Sequence, residues 1–112
     1  MKISNGRNGI GVLTCHGNLN AASMVRLKNS LSRLMNQNQK RFVLDLGRAR
    51  RADFSGLGIL IERLQKIRAL RGDIRIVRVR PAVSRAFNQI GLNRMVALFG
   101  STSEAIRSYQ LT

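Results

Sequence analysis

Phe42-Val43-Leu44-Asp45-Leu46-Gly47 and, further on, Asp53-Phe54-Ser55-Gly56-Leu57-Gly58 decide how this chain folds. The first stretch is almost unbroken apolar side chain, the mark of a central strand covered on both faces. The second opens an apolar stripe, Leu57, Leu60, Ile61, Leu64 and Ile67, at the spacing of an amphipathic helix. Strand, short loop and helix in that order predict an α/β domain. Ser55 stands just ahead of the stripe, where its hydroxyl is expected to cap free N–H groups at the helix start. Gly56 and Gly58 are expected to keep side chains clear of that hydroxyl. Gly72 is expected to end the helix, with Arg68 and Arg71 near the negative end of its dipole. Arg63 and Lys66 fall on the side expected to face solvent.

Upstream, Asn5-Gly6 and Asn8-Gly9 are turn signals that predict a small hairpin leading into a strand at about residues 9–15. Gly17-Asn18-Leu19-Asn20 reads as a turn, with Asn20 as N-cap of a helix from Ala21 to about Asn36. Met24, Leu27, Leu31, Leu34 and Met35 form its apolar face. Downstream, Ile74, Ile76, Val77 and Val79 predict a strand, and Pro81 starts a short helix that Gly91 closes. Met95-Val96-Ala97-Leu98-Phe99 reads as a last strand, and Ser101-Thr102-Ser103-Glu104 as the capping box of a last helix. The expectation is a mixed sheet of four to five strands with helices packed on it, one domain over residues 1–112.

At 112 residues and 44% apolar composition, the chain can bury one real core. Its charge is less ordinary. Twenty Lys and Arg against five Asp and Glu give +15, which favours an acidic protein partner, a nucleic acid or an anionic membrane surface. The basic residues are spread along the sequence, the tightest group being Arg48, Arg50 and Arg51 with Lys40 and Arg41 just upstream. Four Phe and one Tyr leave little to stack on bases, so an acidic protein surface is the first expectation and nucleic acid or membrane the second. Cys15 is the one cysteine and lies in an apolar run, which suits a buried structural thiol. With a single Cys and a single His, a zinc site of the usual kind is excluded, and no cofactor motif is present. No apolar run approaches the ~20 residues that span a bilayer. A cytoplasmic protein is expected.

The order of these signals resembles the STAS family, the sulfate transporter and anti-sigma factor antagonist domains, in its antagonist type. Asp53-Phe54-Ser55-Gly56-Leu57-Gly58 matches that family's Asp-x-Ser-Gly-Leu-Gly turn behind an apolar strand that ends in Asp45. Gly17-Asn18-Leu19-Asn20 occupies the place of its Gly-Glu-Leu-Asp, and Pro81-Ala82-Val83 with Ile90-Gly91-Leu92 match its third helix. The resemblance implies a phosphorylated serine at Ser55 and no catalysis by this chain. It implies a serine-kinase partner of the histidine-kinase-like ATPase type, itself the anti-sigma factor, bound while Ser55 is unphosphorylated. A PP2C-type phosphatase resets the cycle.

Around Ser55 the resemblance places a partner-binding surface of Asp53, Phe54, Gly56, Leu57 and Gly58, with Asp45 holding loop amides. Asn18 and Asn20 stand where acidic residues are common, and Arg50 and Arg51 where apolar ones are more usual. These departures make the expected docking face more basic and fit an acidic partner, or let the arginines clamp a phosphate on Ser55. Two further readings stand beside this one: a STAS subunit of a larger stress-signalling or lipid-transport assembly, and a basic nucleic-acid or membrane-surface binder. Asp45, Asp53 and His16 do not make a complete catalytic set, so an enzyme is not expected.

Overall fold

A computed structural model describes residues 1–5 and 9–110. The chain runs β1 (Lys2–Asn5), β2 (Gly11–Leu19), α1 (Ala21–Asn36), β3 (Arg41–Ala52), α2 (Phe54–Ala69), β4 (Asp73–Val77), α3 (Pro81–Ile90), β5 (Leu98–Phe99) and α4 (Thr102–Gln110). The strands form one sheet in the order β1-β2-β3-β4-β5. β1 pairs antiparallel to β2 and every other pair is parallel, so the sheet is mixed, as expected. The turn between β1 and β2, predicted from Asn5-Gly6 and Asn8-Gly9, lies outside the described residues except for Gly9, whose φ is +74°.

The two faces of the sheet are covered unequally. Leu13, Cys15 and Leu19 of β2 and Phe42, Leu44 and Leu46 of β3 point into the larger core, filled from the other side by α1, α2 and α3. Val43, Val77 and Ile10 point the other way, where among the described residues α4 is the one helix that packs, through Ala105 and Tyr109. The Tyr109 hydroxyl donates to the Phe42 carbonyl (2.8 Å) and accepts from its N–H (3.3 Å), which pins the end of α4 over the start of β3. Burial raises the Cys15 thiol pKa to about 11, so it is a packing group rather than a nucleophile.

Several boundaries differ from the sequence reading. β2 does not stop at Cys15 but runs through Gly17 to Leu19; Gly17, at φ +69°, bends the strand instead of ending it. β3 continues through the stretch read as a loop, to Ala52. Its pairing with β2 shifts twice, between Thr14 and His16 and between Gly17 and Asn18, and each shift adds a residue to β3. Such bulges break the period of two. Leu46, Ala49 and Ala52 face the helix-covered core at every third position. The pairs between them, Gly47-Arg48 and Arg50-Arg51, are turned outward.

β4 ends at Val77 because Arg78 takes a left-handed φ of +60°. The last strand keeps only Leu98 and Phe99; Leu92–Arg94 form a tight helical turn ahead of it. α2 ends at Ala69, and the left-handed residue there is Arg71 (φ +66°), not Gly72. Gly72 is required for another reason: a Cβ there would lie 2.2 Å from the Lys40 carbonyl oxygen. Its N–H donates to the Ile67 carbonyl (2.9 Å) and that of Arg71 to Arg68 (3.0 Å), the double bond of a Schellman turn.

Arg63, expected in solvent, is buried at 9% exposure, and its Nε has no hydrogen-bond partner. It lies seven residues beyond Gly56, hence on nearly the same flank of α2, the flank pressed against the start of α1.

Candidate functional site

The start of α2 is organised by Asp53, which corrects the expectation for Ser55. Asp53 has the extended backbone of an N-cap (φ −117°, ψ 167°) and its Oδ1 accepts from the Gly56 N–H at 2.8 Å. The cap is therefore the aspartate. Ser55 sits in the second helical position, exposed, and its hydroxyl donates to the same Asp53 oxygen at 2.8 Å. The Gly56 N–H and then the Ser55 hydroxyl hold the Asp53 carboxyl below the usual range, so it stays ionised across neutral pH.

The neighbouring junction, from β2 into α1, lies against this turn. Asn20 Oδ1 accepts from the Ser23 N–H and Ser23 Oγ from the Asn20 N–H, both at 3.0 Å, a reciprocal capping box. Ser23 Oγ also donates to the Asn18 carbonyl at 2.7 Å. Asn18, Asn20, Arg51 and Asp53 surround a hollow of about 200 Å³ beside the α2 start.

Gly56 does not clear the approach to the hydroxyl, as its place in the motif suggested. It is turned inward, and a Cβ there would lie 2.2 Å from the Leu19 carbonyl oxygen. Only a glycine lets α2 begin this close to the β2–α1 junction. Gly58 is exposed with open space at its Cβ position. Leu57 is fully buried and belongs to the core, whereas Phe54, in the first helical position, is 59% exposed. The outward surface at the α2 start thus consists of Phe54, Ser55 and Gly58, with Asp53, Asn18, Arg50 and Arg51 beside them.

Asp45 does not join this group. It lies seven residues before Ala52 on β3, on the order of 20 Å away along the strand. It does bond a backbone amide, the Gly47 N–H at 2.9 Å, but its main partner is Arg78. Arg78 Nη2 meets Asp45 Oδ2 at 2.6 Å and its Nε meets Oδ1 at 3.1 Å, a two-pronged pair. Burial alone would raise the Asp45 pKa. The hydrogen bonds from Arg78 and Gly47 and the charges of Arg78 and Arg48 outweigh it and bring the pKa below its ordinary value. Arg80 Nε donates to the Gly47 carbonyl at 2.7 Å, so a second arginine lies over the same bulge.

Neither Arg78 nor Arg80 was among the residues picked from sequence. Nothing local marks an arginine that will take a left-handed backbone and reach across to another strand. The Asn20/Ser23 box was readable, since a capping side chain three residues after an N-cap is a recognised pattern. Among the described residues, no group of three or more His, Cys, Asp or Glu is placed to hold a metal ion. No helix there is long and apolar enough to cross a membrane.

Comparison with known proteins agrees with this layout. The model of the STAS domain family matches residues 2–105. No curated protein sequence matches the chain. The unphosphorylated form of the anti-sigma factor antagonist SpoIIAA superposes with a TM-score of 0.84 at 19% identity, over 99% of this chain and 96% of that one. The phosphorylated form of the Bacillus cell-fate determinant SpoIIAA gives 0.74 at 18% identity, over 96% and 97%. A sulfate transporter family protein from Wolinella succinogenes gives 0.79 at 21% identity, over 93% and 87%. At these identities the likeness is one of fold.

Proposed function

The chain belongs to the STAS domain family, and we propose that it is a cytoplasmic, non-enzymatic protein-binding switch of the anti-sigma factor antagonist type, set by phosphorylation of Ser55. The observation that carries this reading is the Ser55 hydroxyl: exposed, in the second position of α2, and hydrogen-bonded to the capping carboxylate of Asp53. A kinase can reach it without unfolding anything. In its unphosphorylated state the surface of Phe54, Ser55 and Gly58 docks on a serine kinase of the histidine-kinase-like ATPase type, with the half-exposed ring of Phe54 as the apolar anchor.

Transfer of a phosphoryl group replaces the Ser55 O–H by about −1.5 to −2 of charge. That ends the hydrogen bond to Asp53 and puts two anionic groups side by side, while the N-terminus of α2 and Arg51 offset part of the repulsion. Asp53 keeps its cap on Gly56, so α2 survives and the docking face changes. Release of the kinase follows, and a PP2C-type phosphatase restores the binding form. The existence of unphosphorylated and phosphorylated forms of a similarly folded antagonist supports the reading.

Intact-mass spectrometry of the protein from its native host, before and after phosphatase, tests it. A phosphatase-sensitive mass gain mapped to Ser55 is expected. Unmodified Ser55 under every growth condition contradicts the cycle and favours the second reading, a STAS subunit of a larger assembly, which the likeness to a sulfate transporter family protein supports.

A further inference from the structure

Five exposed arginines from two separate stretches of the sequence, Arg48, Arg50 and Arg51 on β3 and Arg78 and Arg80 after β4, are brought together at the carboxyl end of the sheet. The two bulges of β3 turn Arg48, Arg50 and Arg51 out on the face that α4 leaves uncovered among the described residues. Arg78, at φ +60°, reaches onto that face to grip Asp45, and Arg80 grips the Gly47 carbonyl. A left-handed backbone is strained for an arginine, and here the Asp45 pair holds it in place. Asp45 is the carboxylate within the strip, and its charge is taken up by Arg78. At the same end lie the N-termini of α1, α2 and α3, none with an acidic residue in its first turn. The ionised Asp53 takes up the dipole end of α2, so two positive dipole ends, those of α1 and α3, add to the arginine charge.

We propose that this strip binds the phosphate backbone of duplex nucleic acid, without reading sequence, through a surface that adjoins Phe54 and Ser55 at Arg50 and Arg51 but does not use them. Its composition separates it from the alternatives. The core of a protein interface is depleted in charge and carries aromatic or aliphatic anchors, whereas protein–DNA interfaces are polar and strongly positive. From Asp45 to Arg51 no apolar side chain is exposed on the strip, while the exposed Phe54 lies beside Ser55 instead. Membrane-surface binders need an apolar face, which the strip lacks. Single strands need stacking rings, which it also lacks. Arginine forks that contact phosphates are what remains.

The test is fluorescence anisotropy of the whole protein with a labelled duplex DNA of random sequence, across about 50 to about 200 mM salt. The strip variant carries Arg48→Gln, Arg50→Gln and Arg51→Gln; a charge-matched control carries Arg33→Gln, Arg85→Gln and Arg94→Gln, exposed on the helix-covered side. Binding that weakens about tenfold or more in the strip variant, with a salt slope shallower by about 2–3, and less than about threefold in the control, is expected. Amide hydrogen exchange on the unaltered protein gives an independent readout, with duplex-dependent protection expected over residues 47–52. Equal losses in the two variants, no binding by the unaltered protein, or tighter binding of poly-glutamate or phosphatidylserine vesicles than of duplex would each overturn the assignment.

Discussion

The parallel strands end differently at their two edges. At the amino edge the backbone turns are tightly closed, although Met35, Lys40, Ile67 and Leu70 line a hollow of about 230 Å³ there. α1 and α2 finish in turns with left-handed Asn38 and Arg71, and the Gly72 backbone sits where no side chain fits against Lys40. Asp73 there is shared by Arg68 and Arg75. At the carboxyl edge the helices begin instead, with caps from Asn20 and Asp53, and exposed arginines, Phe54 and Ser55 face outward. Close packing returns at a single point of the α2 start, Gly56 against Leu19. The amino edge is held by tight backbone contacts, whereas the carboxyl edge leaves Phe54, Ser55 and five arginines exposed.

The glycines test that contrast most severely. Gly72→Ala at the closed edge and Gly56→Ala at its one counterpart on the open edge each push a methyl into a backbone carbonyl. Losses above about 3 kcal/mol are expected in urea titrations. Gly58→Ala, with free space around it, should instead raise stability by about 0.5 kcal/mol through helix propensity. Similar effects at Gly56 and Gly58 would mean that the α2 start is not packed as described.

Within α2, Leu64→Ala should cost about 3 kcal/mol as a core truncation. Arg63 is the sharper probe. Its stem is buried but its Nε lacks a partner, so Arg63→Met keeps the packing and removes the orphan donor. Stability held, or raised by up to about 1 kcal/mol, is expected; a loss as large as that of Leu64→Ala would show that the guanidinium is bound.

Between these lies Asp45→Asn, expected to cost about 2 kcal/mol by removing the charge-assisted bonds to Arg78 and Gly47. The Asp45 pKa is lower folded than unfolded, so its contribution is complete above the unfolded value of about 4 and fades as pH falls through the folded one. Urea midpoints of the two proteins should differ most above about pH 5 and converge in acid. A gap that does not change with pH would place the stabilisation elsewhere.

The reach of sequence reading follows the same division. α1 and α3 were legible to the residue because apolar spacing, the Asn20 cap, Pro81 and Gly91 all agree. The outer half of β3 was not, since its inward residues, Leu46, Ala49 and Ala52, recur every third position once two bulges intervene. Three arginines between them read as loop. At the α2 start the motif was plain, but two adjacent capping candidates, Asp53 and Ser55, compete in sequence. The carboxylate wins because it can accept from the Gly56 N–H and the Ser55 hydroxyl at once. Arg63 was misplaced because charge suggested solvent, while helical position put it beside Gly56.

The switch itself is tested most directly by calorimetric titration of Ser55→Asp and Ser55→Ala against the kinase recovered with the protein. Because Asp53 is the cap, both variants should melt close to the unaltered protein. Ser55→Ala keeps the shape and charge of the docking face, and binding within about threefold of the original is expected. Ser55→Asp places a second carboxylate beside Asp53 in a desolvated contact, and a loss of about 2 kcal/mol or more in binding free energy is expected. Equal affinities for the two variants, or tighter binding by Ser55→Asp, would contradict a switch that releases its partner on phosphorylation.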